Sequence, residues 1–463
     1  MKKVVSLSAL LVATVGAVPA QGQGGPVDLK QVRSQVVAVL DGWIDRFLDD
    51  QNLDADDVRH GQFHQSDNMR LQECTQLIAW AYIQPDSRHF QNPRARDGAV
   101  WSIDYMVRAQ GDNGGFNEYH GWCGAPERTK GKSSVTGFTM YAIARAVVIL
   151  TPLPEMRERL QEPIDTDGRN GPDRPRVDAW RRMLQAAMDN LYSGTGRGHA
   201  ANQDLCALAA VFAVQEAWEV LSPDAPPLKT SAEVAALRDE IFFGHPAAAA
   251  HKGIAKWFTE AGLPIEEGKG FSGYDANYAQ VSLAFLGLCA RRDPEATAFL
   301  GKCWSALEHF FIPDPDSPVG FSMENATSRR VNGALSRLPG LCMLAHGTSA
   351  HPAGERMYAT VLEGFSRDVP ERMKLKSPHH FQISSYLYTE WLDHMTAPKR
   401  TDYRLPAERP GPWEWRDEEA RILVRKSTEG GLSYYVEHWE QYHQARRVVW
   451  GHEPEVVPCT GHF

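Results

Sequence analysis

The stretch Gly262 to Leu288, GLPIEEGKGFSGYDANYAQVSLAFLGL, decides how the fold is read. It begins as a glycine-rich loop carrying a Pro, two Glu and a Lys, then passes without a break into apolar residues at helical spacing. Tyr274, Asp275, Asn277 and Tyr278 crowd the mouth of a helix that is otherwise apolar. A helix that is apolar on every side is buried on every side. Its polar mouth is therefore the one part that has to face something other than a core.

The same texture recurs outward from this stretch. Between Val32 and Leu48 the apolar residues Val32, Val36, Val39, Leu40, Trp43, Phe47 and Leu48 fall on one helical face. Comparable patterns occupy 68–83, 97–108, 134–150, 177–191, 203–220, 231–243, 276–291, 295–311, 328–346, 354–366 and 381–395. Loop signals separate them at 162–176, 222–227 and 312–318, and Thr230 to Glu233 (TSAE) reads as a capping box. Residues 27 to 400 are thus expected to be all-α, with hardly a strand. Too many helices fill this length for one simple bundle, so successive helical hairpins must bury their faces against their neighbours. The architecture expected is an (α/α)n toroid or incomplete barrel of helical hairpins. No repeat of fixed length is visible, which argues against a regular solenoid.

After about residue 400 the texture changes. Residues 401–463 are rich in Pro and charge at first, and then RILVRKS and GLSYYVEHW flank Thr428 to Gly431. This predicts a β-hairpin in a C-terminal extension packed on the helices, since the segment is short for an independent domain.

Length and composition narrow the function classes. The chain has 463 residues, 43% hydrophobic and 23% charged, which fits a globular protein. Its formal charge of −9 argues against nucleic acid as a partner, and any anionic ligand would need a local positive field. Lys2 and Lys3, an apolar run and a small-residue site ending at Ala20 have the order of a secretory signal peptide over 1–20. No later segment is long and apolar enough for a bilayer span, so a periplasmic or secreted monomer with no membrane partner is expected. The seven cysteines form no CxxC pair, and their pairing cannot be read from spacing.

Polar residues gather at five places ahead of, or just inside, apolar helices: GGFNEYHGW (114–122), GRGHAANQD (196–204), GYDANYAQ (273–280), ENATSRR (324–330) and SPHHFQISSY (377–386). Inner helices of a toroid present the same ends to one face, so these clusters can converge into a cleft. Helix capping is the competing explanation for Asn202, Asp275, Asn325 and Ser377, because the first N–H groups of a helix lack partners. Tyr and His are not favoured caps.

The segment around Leu263, Pro264, Ile265, Glu266 and Tyr274 resembles α/α-toroid alginate lyases, in which a Leu-Pro-aliphatic-Glu stretch precedes a loop and a catalytic tyrosine. ANQDLCALAAVFAV is similar to the family helix that opens with Asn-Asn-His. Asn202 takes the Asn place, Asp204 stands where the histidine would fall, and His199 lies three residues ahead. The loop before Tyr274 holds Lys269 and no arginine. A fainter likeness to hyaluronate and chondroitin lyases rests on SMENATSRRVNGALSR, with Arg329, Arg330 and Arg337, although Gln280-Val281 replaces that family's Gln-His pair.

The resemblance implies β-elimination on an anionic, uronic-acid-containing polysaccharide of alginate or glucuronan type, with no cofactor and no metal. It implies Tyr274 as acid, and as a candidate base, and His199 as base or carboxylate neutraliser. Asn202, Arg330, Arg329, Tyr278, His380 and Lys269 form the substrate-binding set. Two rivals stay open. A glycoside hydrolase on the same scaffold would need paired carboxylates, with Asp275, Glu266, Asp112 and Glu118 as candidates. A non-catalytic glycan-binding protein would need none. Trp101, Trp122 and Trp257 are candidate sugar platforms. His60 and His64, or His379 and His380, lack a metal-binding frame.

Overall fold

The structure is a computed structural model that describes residues 27–64, 68–117, 130–131, 133–166, 173–193, 200–244, 257–268, 271–313, 321–324, 332–333, 338–373, 385–399, 401–427, 433–438, 444–449 and 455–458. The expected signal peptide lies outside them. Helix dominates, as expected.

The helices are α1 (Leu29–Asp49), α2 (Cys74–Ile83), α3 (Pro93–Ala109), α4 (Ser133–Leu150), α5 (Met156–Arg159), α6 (Arg176–Tyr192) and α7 (Ala201–Leu221). They continue with α8 (Ser231–Phe243), α9 (Ala276–Ala290), α10 (Pro294–Leu307), α11 (Leu338–Ala350), α12 (Pro352–Ser366), α13 (Val369–Arg372) and α14 (Tyr386–Asp393). Local chemistry sets many starts. Asp28, Asn92, Asp293 and His351 each accept a backbone N–H of the first turn, and Pro93, Pro294 and Pro352 follow the last three of these caps. The TSAE capping box opens α8, with Thr230 and Glu233 bonded reciprocally.

Composition sorts the helices into two kinds. In α2 every residue from Cys74 to Tyr82 is buried, and α7 has buried residues around its whole circumference. In α1, α3, α6 and α12 the buried residues form one face. The wholly buried kind contact one another in chain order: α2 packs on α4, α4 on α7, α7 on α9, α9 on α11, α11 on α14, and α14 returns to α2. The amphipathic helices pack against this set, with α3 and α6 over α2, α4 and α7, and α10 and α12 over α9 and α11. The α4–α7 contact is close, because a Cβ on Gly137 would stand 3.0 Å from the Ala207 backbone nitrogen.

Buried charge joins the set. Glu390 on α14 accepts from Gln76 of α2 at 2.8 Å, from Arg291 at 2.7 Å and from Arg145 of α4 at 3.3 Å. Arg145 also reaches Glu216 of α7 at 2.8 Å, and Arg292 pairs with the same carboxylate.

Three expectations need correction. The helix expected over 328–346 runs from Leu338 to Ala350, since Pro339 is tolerated only in a first turn. The helix expected over 295–311 ends at Leu307, and the chain passes through a 3-10 turn into a strand. Strands are also commoner among the helices than expected. Three small antiparallel sheets occupy the connections: β1–β2 (Pro163–Ile164, Arg174–Pro175), β3–β4 (Glu266–Gly268, Phe271–Gly273) and β5–β6–β7 (Phe311–Pro313, Phe321–Glu324, Asn332–Gly333).

The expected C-terminal hairpin is present as β9 (Ile422–Ser427) paired with β10 (Ser433–His438), Ser427 opposite Ser433. It belongs to a larger antiparallel sheet in the order β12 (Glu455–Pro458), β11 (Gln444–Val449), β10, β9, β8 (Trp413–Asp417). Cys74, Cys206, Cys289, Cys303 and Cys342 are buried free thiols, and no described helix is long and apolar enough to cross a membrane.

Candidate active site

Tyr274 stands between β4 and α9, at the N-terminal end of a helix most of whose described side chains are buried. Its side chain has 0% exposure, and its ring lies against Phe310 with centroids 4.2 Å apart. Asp275 follows, also fully buried, and its Oδ1 accepts the backbone N–H of Tyr278 at 3.1 Å. Capping therefore accounts for Asp275. Tyr278, one turn along, is half-buried.

Asn202 lies in the first turn of α7, the helix on which α9 packs, so Asn202 and Tyr274 share the N-terminal ends of neighbouring helices. The capping explanation fails for Asn202. The N-cap position is Ala200, and the Oδ1 of Asn202 is buried with no hydrogen-bond partner among the described residues. A buried polar atom left without a partner is costly, and a ligand group that donates a hydrogen bond would complete it. Asp204, where the family histidine would fall, is fully buried and accepts from Trp257 Nε1 at 2.7 Å. Trp257 is itself fully buried, so it is a core residue and not a sugar platform.

His199, Lys269, Arg329, Arg330 and His380 lie outside the described residues, as do Trp122 and Glu118. Among the remaining rival carboxylates, Asp112 is exposed and Asp275 is committed to its cap. Trp101 lines a polar cavity of about 250 Å³ together with His60, Asp104, Arg108 and Arg176, between the outer helices α3 and α6. His64 is bonded to Asp50 at 3.3 Å, and no metal-binding cluster occurs among the described residues.

One charged pair at this end escaped the sequence reading. Arg70 Nε donates to Glu73 Oε1 at 2.7 Å just ahead of α2, and Glu73 is fully buried. The Arg70 guanidinium lies over the ring of Phe138 on α4, 4.1 Å from its centroid. Burial pushes the Cys206 thiol well up, with Glu73 adding to the rise and Arg70 opposing it. Phe138 follows Gly137, which meets the Cys206–Ala207 backbone, so the pair stands near the part of α7 one helical turn beyond Asn202. Burial also pushes the Tyr386 phenol well above its ordinary range, again with Glu73 adding and Arg70 opposing. Tyr386, the first residue of α14, has a buried hydroxyl with no hydrogen-bond partner among the described residues. The signal for this pair was an i, i+3 couple of opposite charge leading an apolar helix, a pattern that surface pairs share.

The first turns of α2, α7, α9 and α14, or the residues just ahead of them, thus carry a guanidinium, buried carboxylates, an amide with an unfilled acceptor, and phenols. Such a set can hold an anion by charge and hydrogen bond and can move a proton through a phenol. Compared with known protein families and with curated proteins, the chain matches no family model and no curated protein.

Proposed function

We propose that the protein is an exported polysaccharide lyase, built on an (α/α) toroid of six inner helices, that cleaves a uronic-acid-containing polymer by β-elimination. The toroid reading draws support from the cycle of contacts in which α14 returns to α2. The observation that carries the function is that Tyr274 and Asn202 stand at the N-terminal ends of two helices that pack on each other, Asn202 holding an unfilled buried Oδ1 that can accept a sugar hydroxyl while its Nδ2–H group serves the carboxylate. In this reading the uronate carboxylate is neutralised by Arg70, Asn202 and His199, which acidifies the C5 proton. Tyr274 then protonates the leaving O4 oxygen, and Tyr274 or His199 takes the C5 proton. A phenol with a pKa near 10 fits both steps once cations and donors stabilise its phenolate. Arg70 supplies the guanidinium that the loop before Tyr274 lacks. Lys269, Arg329, Arg330, His380 and Tyr278 complete the substrate-binding set.

Tyr274 has no exposure, so elimination at this phenol requires its cover to part when the polymer binds. That burial also favours a second reading, a glycan-binding protein without turnover. The products separate the two. Incubation with alginate, glucuronan, hyaluronan and pectin should yield ultraviolet-absorbing unsaturated uronides from one of them, and Tyr274→Phe should abolish that product while the far-ultraviolet circular dichroism stays unchanged. Retained turnover in Tyr274→Phe removes the tyrosine from the mechanism. Binding with no product from any polymer favours the second reading.

A further inference from the structure

We propose that the C-terminal sheet is a positioning element for Tyr274, with Trp415 and Asp417 of β8 clamping the segment 257–275 that carries the phenol. The proposal rests on the reading of Tyr274 as the acid. Along β8 the side chains alternate as the pleat demands: Glu414 and Arg416 are exposed, while Trp413 and Trp415 are half-buried and Asp417 is buried on the side of the helices. The Trp415 ring meets Phe310 edge-on at 5.6 Å, and Phe310, fully buried, lies against Tyr274. His309 stacks on Trp415 at 5.1 Å with an interplanar angle of 17°. One aromatic series therefore runs from the sheet to the candidate acid.

A second, polar connection reaches the same segment. Thr259 Oγ1 donates to Asp417 Oδ2 at 2.6 Å, both residues being buried, and accepts Leu263 N–H at 3.1 Å. Glu260 N–H donates to Glu419 at 2.5 Å. The Thr259–Leu263 turn is closed by its own backbone bond of 3.0 Å, so fixing Thr259 fixes the turn that feeds Leu263, Pro264 and Ile265 into β3. At the head of the segment Trp257 is tied to Asp204 of α7. The chain entering Tyr274 is thus held to α7 at one point and to the C-terminal sheet at another, and the Tyr274 ring is backed from the sheet through Phe310. A phenol that must reach a glycosidic oxygen loses rate steeply when displaced by about 1 Å, on the order of a hundredfold.

The test uses the full chain and four variants: Thr259→Val, Thr259→Ser, Trp415→Ala and Trp415→Phe. Hydrogen exchange of the 257–275 amides is read beside thermal melting and beside kcat and KM on the polymer that the wild type cuts. Thr259→Val and Trp415→Ala should each speed exchange in 257–275 by at least about tenfold and lower kcat by a similar factor with KM within about twofold. The conservative Thr259→Ser and Trp415→Phe should restore both. A purely structural role would lower the melting temperature and the folded fraction but leave kcat per folded molecule unchanged, and that outcome overturns the proposal. Unchanged exchange in both Thr259→Val and Trp415→Ala overturns it too. If Trp415→Ala does not fold, Thr259→Val carries the decision. Should the wild type yield no elimination product, the lyase reading fails and the exchange data decide the clamp alone.

Discussion

Asn202 and Asp275 occupy equivalent places in the sequence, each a short polar residue at the head of an apolar helix, yet their side chains do different work. Asp275 satisfies the N–H of Tyr278, whereas Asn202 leaves its Oδ1 buried and unfilled because Ala200 occupies the cap position. No pattern in the sequence separates them, since the difference is two residues of helix phase. The same limit hid Arg70, whose place over Phe138 depends on how α2 meets α4. A prediction follows from the unfilled acceptor. Asn202→Leu should change stability by no more than about 1 kcal/mol, or raise it, because it removes a polar group that makes no compensating bond. Turnover should fall at least about a hundredfold, as the substrate carboxylate loses the Nδ2–H donor of Asn202. Chemical denaturation together with initial rates checks this, and a large loss of stability would make Asn202 a structural residue.

At the scale of elements, periodicity in the sequence was sufficient for the presence of the long helices, though not for the bounds of α10 and α11, because burial of a helical face writes itself over ten or more residues. The small strands were illegible for the opposite reason. Strands such as Pro163–Ile164 and Asn332–Gly333 are too short to show a period of two, and they form because flanking helices bring their ends together. Packing distance was equally invisible. Gly137 could be read as a weak point in α4, but it is the residue that lets α4 approach the Cys206–Ala207 backbone. Since a side chain there would meet backbone atoms, which cannot rotate away, Gly137→Val should cost about 1–3 kcal/mol, the usual range for overpacking. The measurement is a lowered denaturation midpoint with an unchanged m value. Helix propensity alone predicts the reverse sign, so a stabilised variant would show that the α4–α7 contact is looser than 3.0 Å.

For the whole molecule, what the sequence could not show is what joins its ends. Gln76 and Thr389 bond at 3.1 Å across 313 positions, and the five-stranded sheet beyond residue 400 extends well past the hairpin that local pattern predicted. The α14-to-α2 junction is held by Glu390, buried among Gln76, Arg145 and Arg291. Burial pushes the Glu390 carboxyl up, but Arg145 and then Arg291 pull it down further, and the net shift is below its ordinary value. A carboxylate with a depressed folded pKa stabilises the fold at and above its unfolded pKa, about 4.3, and that contribution is lost as pH falls through the lower folded value. Glu390→Gln should therefore cost about 1.5–3 kcal/mol at pH 7, because the half-buried Arg291 and Arg145 lose a charged acceptor, Arg145 keeping Glu216. The gap between wild type and variant should narrow in urea titrations taken progressively below about pH 4, as the wild-type carboxylate takes up its proton. A gap that stays constant down to about pH 2 would mean that shape and hydrogen bonding, not charge, hold α14 to α2, and the acid sensitivity of the helical assembly would have to arise elsewhere.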